Sequence, residues 1–253
     1  MLRTRMIPCL LLKGDGLVKT TKFRDPVYVG DPINAIRIFN DKGVDELVFL
    51  DITASLEGRG PRLDMIRDFA SECFMPVGYG GGIRHLEDAR AVLSLGIEKI
   101  IVNTSALRNP ALVTEISNEF GAQATVVCMD VVKKFIGGHE VASAAGRRKT
   151  GIKPLEHAVR MVELGAGEII VNSVDRDGTQ SGYDIPLIRS IADGVSVPVV
   201  ALGGAGSSDD FKAAVTDGHA SAVAAGSMFV FHGRHRAVLI SYPSRAELES
   251  ALP

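Results

Sequence analysis

The chain has 253 residues, of which 46% are hydrophobic, and its formal net charge is −2. This length can bury a large core and is common for one α/β barrel. The balanced charge, with no basic run longer than residues 146–149, argues against nucleic-acid binding. No apolar stretch approaches the roughly 20 residues that cross a bilayer, and the N-terminus lacks a signal-peptide cleavage pattern, so a cytoplasmic protein without membrane contact is predicted.

The first half of the chain is predicted to alternate strands with helices. An apolar strand at 6–12 ends in a glycine-rich turn, and a helical pattern at 31–43 stops at glycine. Strands follow at 46–52, 76–81 and 99–103, with a helical segment at 86–96 between the last two. Cys9, Cys73 and Cys128 lie in apolar surroundings without metal-ligand spacing and are predicted to be core thiols.

The second half repeats the first. Strands are predicted at 124–131, 168–174, 198–204 and 222–226, and residues 39–52 and 75–96 match 161–174 and 197–218 at a constant offset of 122. In the first strand of each half, Cys9 matches Cys128 and Leu11 matches Asp130. Eight strands that are apolar on both faces favour one TIM barrel over 1–253, built from half-barrels at about 1–121 and 122–253. A doubly wound open sheet is the alternative.

Glycine-rich and hydroxyl-rich turns follow four of the strands, at 78–84, 102–110, 202–208 and 224–229. Loops after the strands build the active sites of barrels, and free N–H groups in such turns bind anions. The duplication therefore predicts two anion sites on one face and an elongated ligand with a phosphate or similar anion at each end. Any single turn of this kind can also need glycine for steric reasons alone.

Several polar residues are expected between these anion sites. Asp130 is the strongest candidate for proton transfer, because a carboxyl at the mouth of an apolar barrel has a raised pKa. Asp51 and Asp177 are better explained as caps of helices or loops. None of the six histidines has metal-ligand spacing, so no metal and no cofactor are predicted.

The segments ELVFLDITAS, GGGIR, VNTSAL, SVDRDGTQSGYD and ALGGAG resemble the HisF family, the cyclase subunit of imidazole glycerol phosphate synthase, over essentially the whole chain. The resemblance implies a barrel that receives ammonia from a HisH-like glutaminase at its N-terminal face and acts on a bis-phosphate compound. It implies one phosphate site at Gly82, Asn103 and Thr104 and another at Asp177, Gly178, Gly204 and Ser227. Other predicted ligand contacts are Lys19 in a loop at 13–30, Asp51, Gly81, Ser173, Gly203 and Gly226.

The sequence departs from this family at one catalytic position. The family's two acids end the first and fifth strands, where this chain has Leu11 and Asp130. Leucine cannot transfer a proton, so loss of the original cyclisation is predicted. By resemblance, the ammonia gate is complete, although its four charged residues could instead form a stabilising girdle of ion pairs; they are Arg5, Glu46, Lys99 and Glu168.

The segments PCLLLK and YVGDPINA more closely resemble HisF-like paralogues of the WbuZ type, which accompany surface-polysaccharide genes. That resemblance implies nitrogen delivery to acetamidino-sugar synthesis with a separate N-acetyl-sugar amidotransferase. The alternatives are an authentic cyclase of histidine biosynthesis, a non-catalytic ammonia conduit or activator, and, more weakly, an isomerase of the HisA type. Residues 133–151 are expected to form a lid or a surface insert, and residues 242–253 a short helix.

Overall fold

A computed structural model of the chain describes residues 4–243 and residue 247. Most of the C-terminal helix predicted at 242–253 lies outside the described residues. Within the described part, no helix combines the length and the hydrophobicity needed to cross a bilayer.

Eight parallel strands form a closed barrel. Each strand pairs with the next along the chain, and the last pairs with the first, at Arg5 with Ala222. This closure confirms the predicted TIM barrel and excludes the open sheet, which would leave two edge strands unpaired. The strands are β1 (Arg5–Lys13), β2 (Leu47–Asp51), β3 (Val77–Gly80), β4 (Lys99–Val102), β5 (Thr125–Lys133), β6 (Glu168–Ser173), β7 (Val199–Leu202) and β8 (Ala222–Ala225).

Helices cover the outside of the barrel. The first of them shows the local signals clearly: the Asp31 side chain accepts a hydrogen bond from the Asn34 N–H at 3.0 Å, and the helix ends at Gly43 with φ 63°. The covering helices are α1 (Pro32–Lys42), α2 (Leu63–Glu72), α3 (Leu86–Leu93), α4 (Ala111–Phe120), α5 (Pro154–Glu163), α6 (Ile185–Ala192) and α7 (Ser208–Thr216). Shorter helices span Ala54–Glu57, Thr104–Arg108, Ala122–Ala124 (a 3₁₀ turn) and Ser227–Val230.

Alternate residues of each strand face either the helices or the barrel interior. The larger core lies between strands and helices, and a smaller core fills the interior with side chains such as Ile7, Val48 and Ile170. Cys9 and Cys128 are free thiols in the interior core, while Cys73 is half-buried outside the barrel. Burial raises the pKa of Cys9 to about 11, so this thiol is protonated near neutral pH.

The strand register repeats between the two halves. Leu11 lies beside Leu50 in the β1–β2 pair, and Asp130 lies beside Asn172 in the β5–β6 pair. Leu50 and Asn172 are separated by the same 122 residues as the matched segments, so Leu11 and Asp130 occupy equivalent places.

Two segments expected as loops contain β-structure. Residues 13–30 form a hairpin, named here the first hairpin, whose strands Gly16–Thr21 and Arg24–Gly30 extend the sheet from β1. The prediction of a loop at 13–30 is therefore wrong. Turn-forming residues at both ends of this segment indicate a loop and do not reveal that two strands between them pair. Strands His139–Ser143 and Arg148–Lys149 form a second extension from β5, and Phe231–His232 pairs with Ala237–Val238.

Candidate active site

A cleft of about 1160 Å³ opens at the carboxyl ends of the barrel strands, and we call it the mouth cleft. Four of the predicted ligand-contact residues lie outside its lining: Ser173, Gly178, Gly203 and Gly204. The other predicted residues meet there, which are Leu11, Lys19, Asp51, Gly81, Gly82, Asn103, Thr104, Asp130, Asp177, Gly226 and Ser227.

Asp130 lies at the inner end of the mouth cleft and is 6% exposed. Its two carboxylate oxygens accept hydrogen bonds from Asn103 Nδ2 at 2.9 Å and Asn172 Nδ2 at 3.2 Å. Burial outweighs these bonds and raises the pKa of Asp130 to about 7. A carboxyl with this pKa can both accept and donate a proton near neutral pH.

The equivalent place in the other half is apolar. Leu11 and Leu50 are half-buried, line the mouth cleft and pack against the interior core. β1 and β5 stand four strands apart in an eight-stranded ring, so Leu11 and Asp130 belong to opposite walls. At these equivalent places, one wall of the mouth has Asp130 and the other has Leu11 and Leu50.

The Asp51 side chain forms its hydrogen bonds and its ion pair within the loop that follows β2. One carboxylate oxygen accepts from the backbone N–H groups of Thr53 and Ala54, both at 3.1 Å. The other oxygen pairs with Arg59 Nη2 at 2.8 Å. These contacts fit the capping interpretation of Asp51, because its acceptor sites are already occupied by the loop 51–59.

The paired glycines permit close approach of backbone to backbone. A Cβ on Gly81 would lie 2.6 Å from Asp51, and one on Gly203 would lie 2.7 Å from Asn172 and Ser173. Both glycines have positive φ, at 126° and 88°. Gly81 and Gly82 in the first half, and Gly203 and Gly204 in the second, are therefore required for steric reasons, in addition to any role in binding an anion.

Lys19 extends from the first hairpin to Gly226. The side chain is 5% exposed, its Nζ donates to the Cys9 carbonyl oxygen, and a Cβ on Gly226 would overlap with it. Burial lowers the pKa of Lys19, while Asp177 acts to raise it. Lys19 is thus a packed side chain beside Gly226 in this structure, within a segment that the sequence predicted as a loop.

Asp177 fastens the first hairpin to the loop after β6. Its carboxylate accepts from Thr20 Oγ1 at 3.2 Å, and its carbonyl accepts from the Lys22 N–H at 2.8 Å. Burial raises the pKa of Asp177 to about 6, against the opposing effect of Lys19. The hairpin also covers Gly178, where a Cβ would overlap with the Thr20 carbonyl oxygen. This cover explains why Gly178 lies outside the mouth cleft.

Four charged residues converge at the N-terminal end of the barrel, and we call them the floor cluster: Arg5, Glu46, Lys99 and Glu168. Arg5 pairs with both glutamates, and Lys99 Nζ lies 2.8 Å from Glu46 Oε2 and 2.8 Å from Glu168 Oε2. Each cation contacts both glutamates, so the four ion pairs form a ring across the barrel axis. Glu46 is 3% exposed and Glu168 is 6% exposed.

A small cavity of about 10 Å³ lies above the floor cluster, within the barrel interior. This is about the space that one water molecule needs. Apolar side chains line it together with Glu46, Lys99 and Glu168, and Cys9 and Leu202 line both this cavity and the mouth cleft. The small cavity and the mouth cleft therefore lie on either side of shared apolar side chains of the barrel interior.

Sequence reasoning missed two residues of this site. Asn172 was passed over in favour of its neighbour Ser173, although alternation from Glu168 and Ile170 directs Asn172 inward. Arg59 had no motif to mark it, and its pairing with Asp51 depends on how the loop folds back.

Comparison with known proteins identifies relatives over almost the entire chain. The family model described as "Histidine biosynthesis protein" matches residues 5–236. A Pseudomonas aeruginosa protein provisionally named imidazole glycerol phosphate synthase subunit hisF2 is 55% identical over 98% of this chain and 99% of its own. Imidazole glycerol phosphate synthase subunit HisF of Alkaliphilus metalliredigens is 44% identical over 92% of each chain. A hisF3 subunit of Vibrio vulnificus, also provisionally named, is 44% identical over 100% of this chain and 97% of its own.

Proposed function

The chain belongs to the histidine biosynthesis protein family, and from this premise we propose that it is a HisF-type synthase subunit working with a HisH-like glutaminase. In this proposal ammonia enters through the floor cluster, crosses the barrel interior and meets a bis-anionic ligand in the mouth cleft. The nitrogen serves acetamidino-sugar synthesis, together with an N-acetyl-sugar amidotransferase, as the resemblance to WbuZ-type paralogues suggests.

One observation carries the proposal of altered chemistry. In the two register-equivalent places at the mouth, one strand supplies Asp130 and the other supplies Leu11. A cyclisation that needs an acid and a base loses one of them, which typically lowers the rate by about 10²–10⁴.

The route for ammonia is supported by the floor cluster and the apolar interior above it. Ammonia is about the size of water, and a cavity of about 10 Å³ lies between the floor cluster and the mouth cleft. Passage requires one of the ion pairs across the axis to open, and we propose that binding of the glutaminase opens it.

The two anion sites are proposed at opposite sides of the mouth. Gly81, Gly82, Asn103 and Thr104 serve one, while Lys19, Asp177, Gly226 and Ser227 serve the other. Gly178 becomes available to a ligand once the first hairpin moves away, because Thr20 covers it, whereas Gly203 and Gly204 pack against residues 172–182.

The experiment that tests this proposal supplies the purified chain with the formimino bis-phosphate intermediate and ammonium salt. We expect turnover at least about 10²-fold below that of an ordinary cyclase, and a gain in the Leu11→Asp variant, which restores the missing acid. Leu50→Asp, on the neighbouring strand of the same wall, is the control and should gain nothing. Ordinary turnover by the unsubstituted chain would contradict the proposal.

The second candidate is an authentic cyclase of histidine biosynthesis. The 44% identity to the Alkaliphilus metalliredigens HisF over 92% of each chain favours it. Such an enzyme would need another proton donor near Leu11, and Asp51 is already occupied by Arg59 and two backbone N–H groups.

The Asp130→Asn variant distinguishes catalysis by this subunit from the alternative of a non-catalytic ammonia conduit. If the complex with the glutaminase and the amidotransferase still amidates its sugar at full rate, Asp130 has no chemical role. We expect the rate to fall, because Asp130 is the carboxyl with a pKa of about 7 at the inner end of the cleft.

A further inference from the structure

Three hairpins lie at the carboxyl ends of the barrel strands, and we call them the rim hairpins. They follow β1, β5 and β8 and are the first hairpin (13–30), the second extension (133–149) and the third hairpin (231–239). A Cβ on Gly146 of the second extension would lie 3.1 Å from the Phe23 ring of the first hairpin. Gly178 joins the other two, because Thr20 of the first hairpin covers it and its carbonyl oxygen accepts from Arg236 Nη1 of the third at 3.4 Å. The rim hairpins therefore form one connected surface beside the mouth cleft.

The rim hairpins expose large apolar side chains. Six of the eleven such side chains that are exposed in the described residues lie on them, and these are Val27, Tyr28, Phe135, Ile136, Val238 and Leu239. Phe135 and Ile136 lie between β5 and the strand His139–Ser143, and they are 100% and 89% exposed. Apolar side chains grouped on one surface indicate an interaction site, whereas single ones need no explanation.

The rim hairpins are also basic, although the chain as a whole is not. They hold eleven of its 28 lysines and arginines but three of its 30 acids, and one of these acids, Glu140, is buried. An anionic ligand in the mouth cleft accounts for the cations that line it. Four of the eleven lie outside that lining, and these are Lys134, Arg148, Arg234 and Arg236. The surface that complements the rim hairpins is therefore acidic and larger than the ligand.

The backbone of the first hairpin favours a protein over a lipid surface as the occupant. Its strand Arg24–Gly30 pairs only with Gly16–Thr21 among the described strands, so the outer edge at Val27 and Tyr28 has no partner strand. A protein can hydrogen-bond such an edge, whereas the interior of a bilayer cannot.

A second copy of this chain fits the rim hairpins poorly. Two copies that meet through their rim hairpins would bring like charges together, which opposes association. A copy packed head to tail would instead cover the floor cluster, where the proposed function places the glutaminase.

We infer that the rim hairpins are the docking surface for the protein that holds the nitrogen acceptor, and that this partner presents an acidic face with an apolar pocket for Phe135 and Ile136. The inference rests on the proposed function, in which that partner is the N-acetyl-sugar amidotransferase, and adds where it binds. A partner seated on the rim hairpins covers the mouth cleft and keeps ammonia from escaping to water.

The test measures binding of the purified amidotransferase to the full-length chain by titration calorimetry. We expect Phe135→Ser combined with Ile136→Ser to weaken binding about tenfold or more, because a few anchor residues carry most of the energy of an interface. Both side chains are exposed, so this double variant should fold. Phe74→Ser is the matched control, since Phe74 is 88% exposed but precedes β3 at the opposite end of the barrel. Unchanged affinity in the double variant, or an equal loss in the control, would overturn the docking surface.

Charge reversal tests the electrostatic part of the inference. Arg234→Glu on the third hairpin should slow association and reduce its dependence on salt, because charges at the edge of an interface act mainly on the association rate. Lys42→Glu changes the net charge equally in the last turn of α1, at the opposite end of the barrel, and should have little effect. Equal effects of the two would show that only net charge matters and would contradict a complementary acidic face.

Other occupants give other results. The chain might bind vesicles of phosphatidylglycerol and phosphatidylcholine, or dimerise, instead of binding the amidotransferase; either result, if lost in the double variant, would assign the surface to a membrane or to a second copy and overturn the inference. Absence of any binding by the amidotransferase would overturn it as well.

The two proposals fail separately. Binding that depends on Phe135 and Ile136 without glutamine-dependent amidation by the complex leaves the docking surface standing and removes the proposed function. Amidation at full rate with the double variant does the reverse.

Discussion

Two opposing effects act on the pKa of Asp130: burial raises it, and the hydrogen bonds from two side-chain amides lower it. Burial is the larger effect. Its pKa is raised to about 7 from the usual value near 4, so the folded chain binds more protons than the unfolded chain between these pH values. The contribution of this residue to stability therefore falls as pH rises from about 4 to about 7. We expect Asp130→Asn to flatten the decline of the unfolding free energy across that window, measured by urea denaturation at several pH values.

Asp68→Asn is the control for this measurement, because Asp68 is an exposed acid on α2. Its substitution should leave the pH dependence as in the parent chain. If Asp130→Asn and Asp68→Asn give the same slope, the raised pKa of Asp130 does not govern stability in this range.

The first hairpin depends on one glycine in another element. Gly178 has φ 70°, and a Cβ there would overlap with the Thr20 carbonyl oxygen. We expect Gly178→Ala to detach the hairpin from the loop after β6, to break the hydrogen bond from the Lys22 N–H to the Asp177 carbonyl oxygen, and so to speed trypsin cleavage after the exposed Lys22. The substitution carries a backbone cost of roughly 1–2 kcal/mol in addition to the clash, because a left-handed conformation disfavours alanine.

Gly14→Ala provides the matched control. Gly14 also has a left-handed φ, of 58°, but a Cβ there meets no atom within 4 Å. Gly14→Ala should therefore have the same free-energy cost of a left-handed alanine as Gly178→Ala, but no steric overlap. Cleavage after Lys22 at equal rates in the two variants would show that contact with Gly178 does not hold the hairpin.

The floor cluster connects distant parts of the barrel, because its ion pairs join β1, the loop before β2, β4 and β6 across the axis. Removing a partner from a buried ion pair leaves uncompensated charge and costs about 3–5 kcal/mol. Arg5 still contacts both glutamates in Lys99→Met, so we expect a loss near the lower end, about 3 kcal/mol, in chemical denaturation.

Lys153→Met removes the lysine from the pair with Glu156, in which the side chains are 70% and 62% exposed. Solvent screens such a pair, so this control should hardly change the free energy of unfolding. A Lys99→Met protein as stable as Lys153→Met would mean that the floor cluster contributes little to the fold.

The sequence by itself determined the eight strands and the helices at 31–43 and 86–96, because these follow from periodicity, and it matched Leu11 with Asp130 because each stands two residues after the matched Cys9 and Cys128. Most of the ligand-contact residues that it marked line the mouth cleft, since strand ends of a barrel share one face. Only the tertiary structure decided that residues 13–30 pair as a hairpin, that Lys19 is buried beside Gly226, that Asp51 is held by Arg59, and that Asn172 rather than Ser173 faces the interior. These outcomes depend on contacts between residues distant in sequence, and on which side of a strand faces inward, where a shift of one residue reverses the answer.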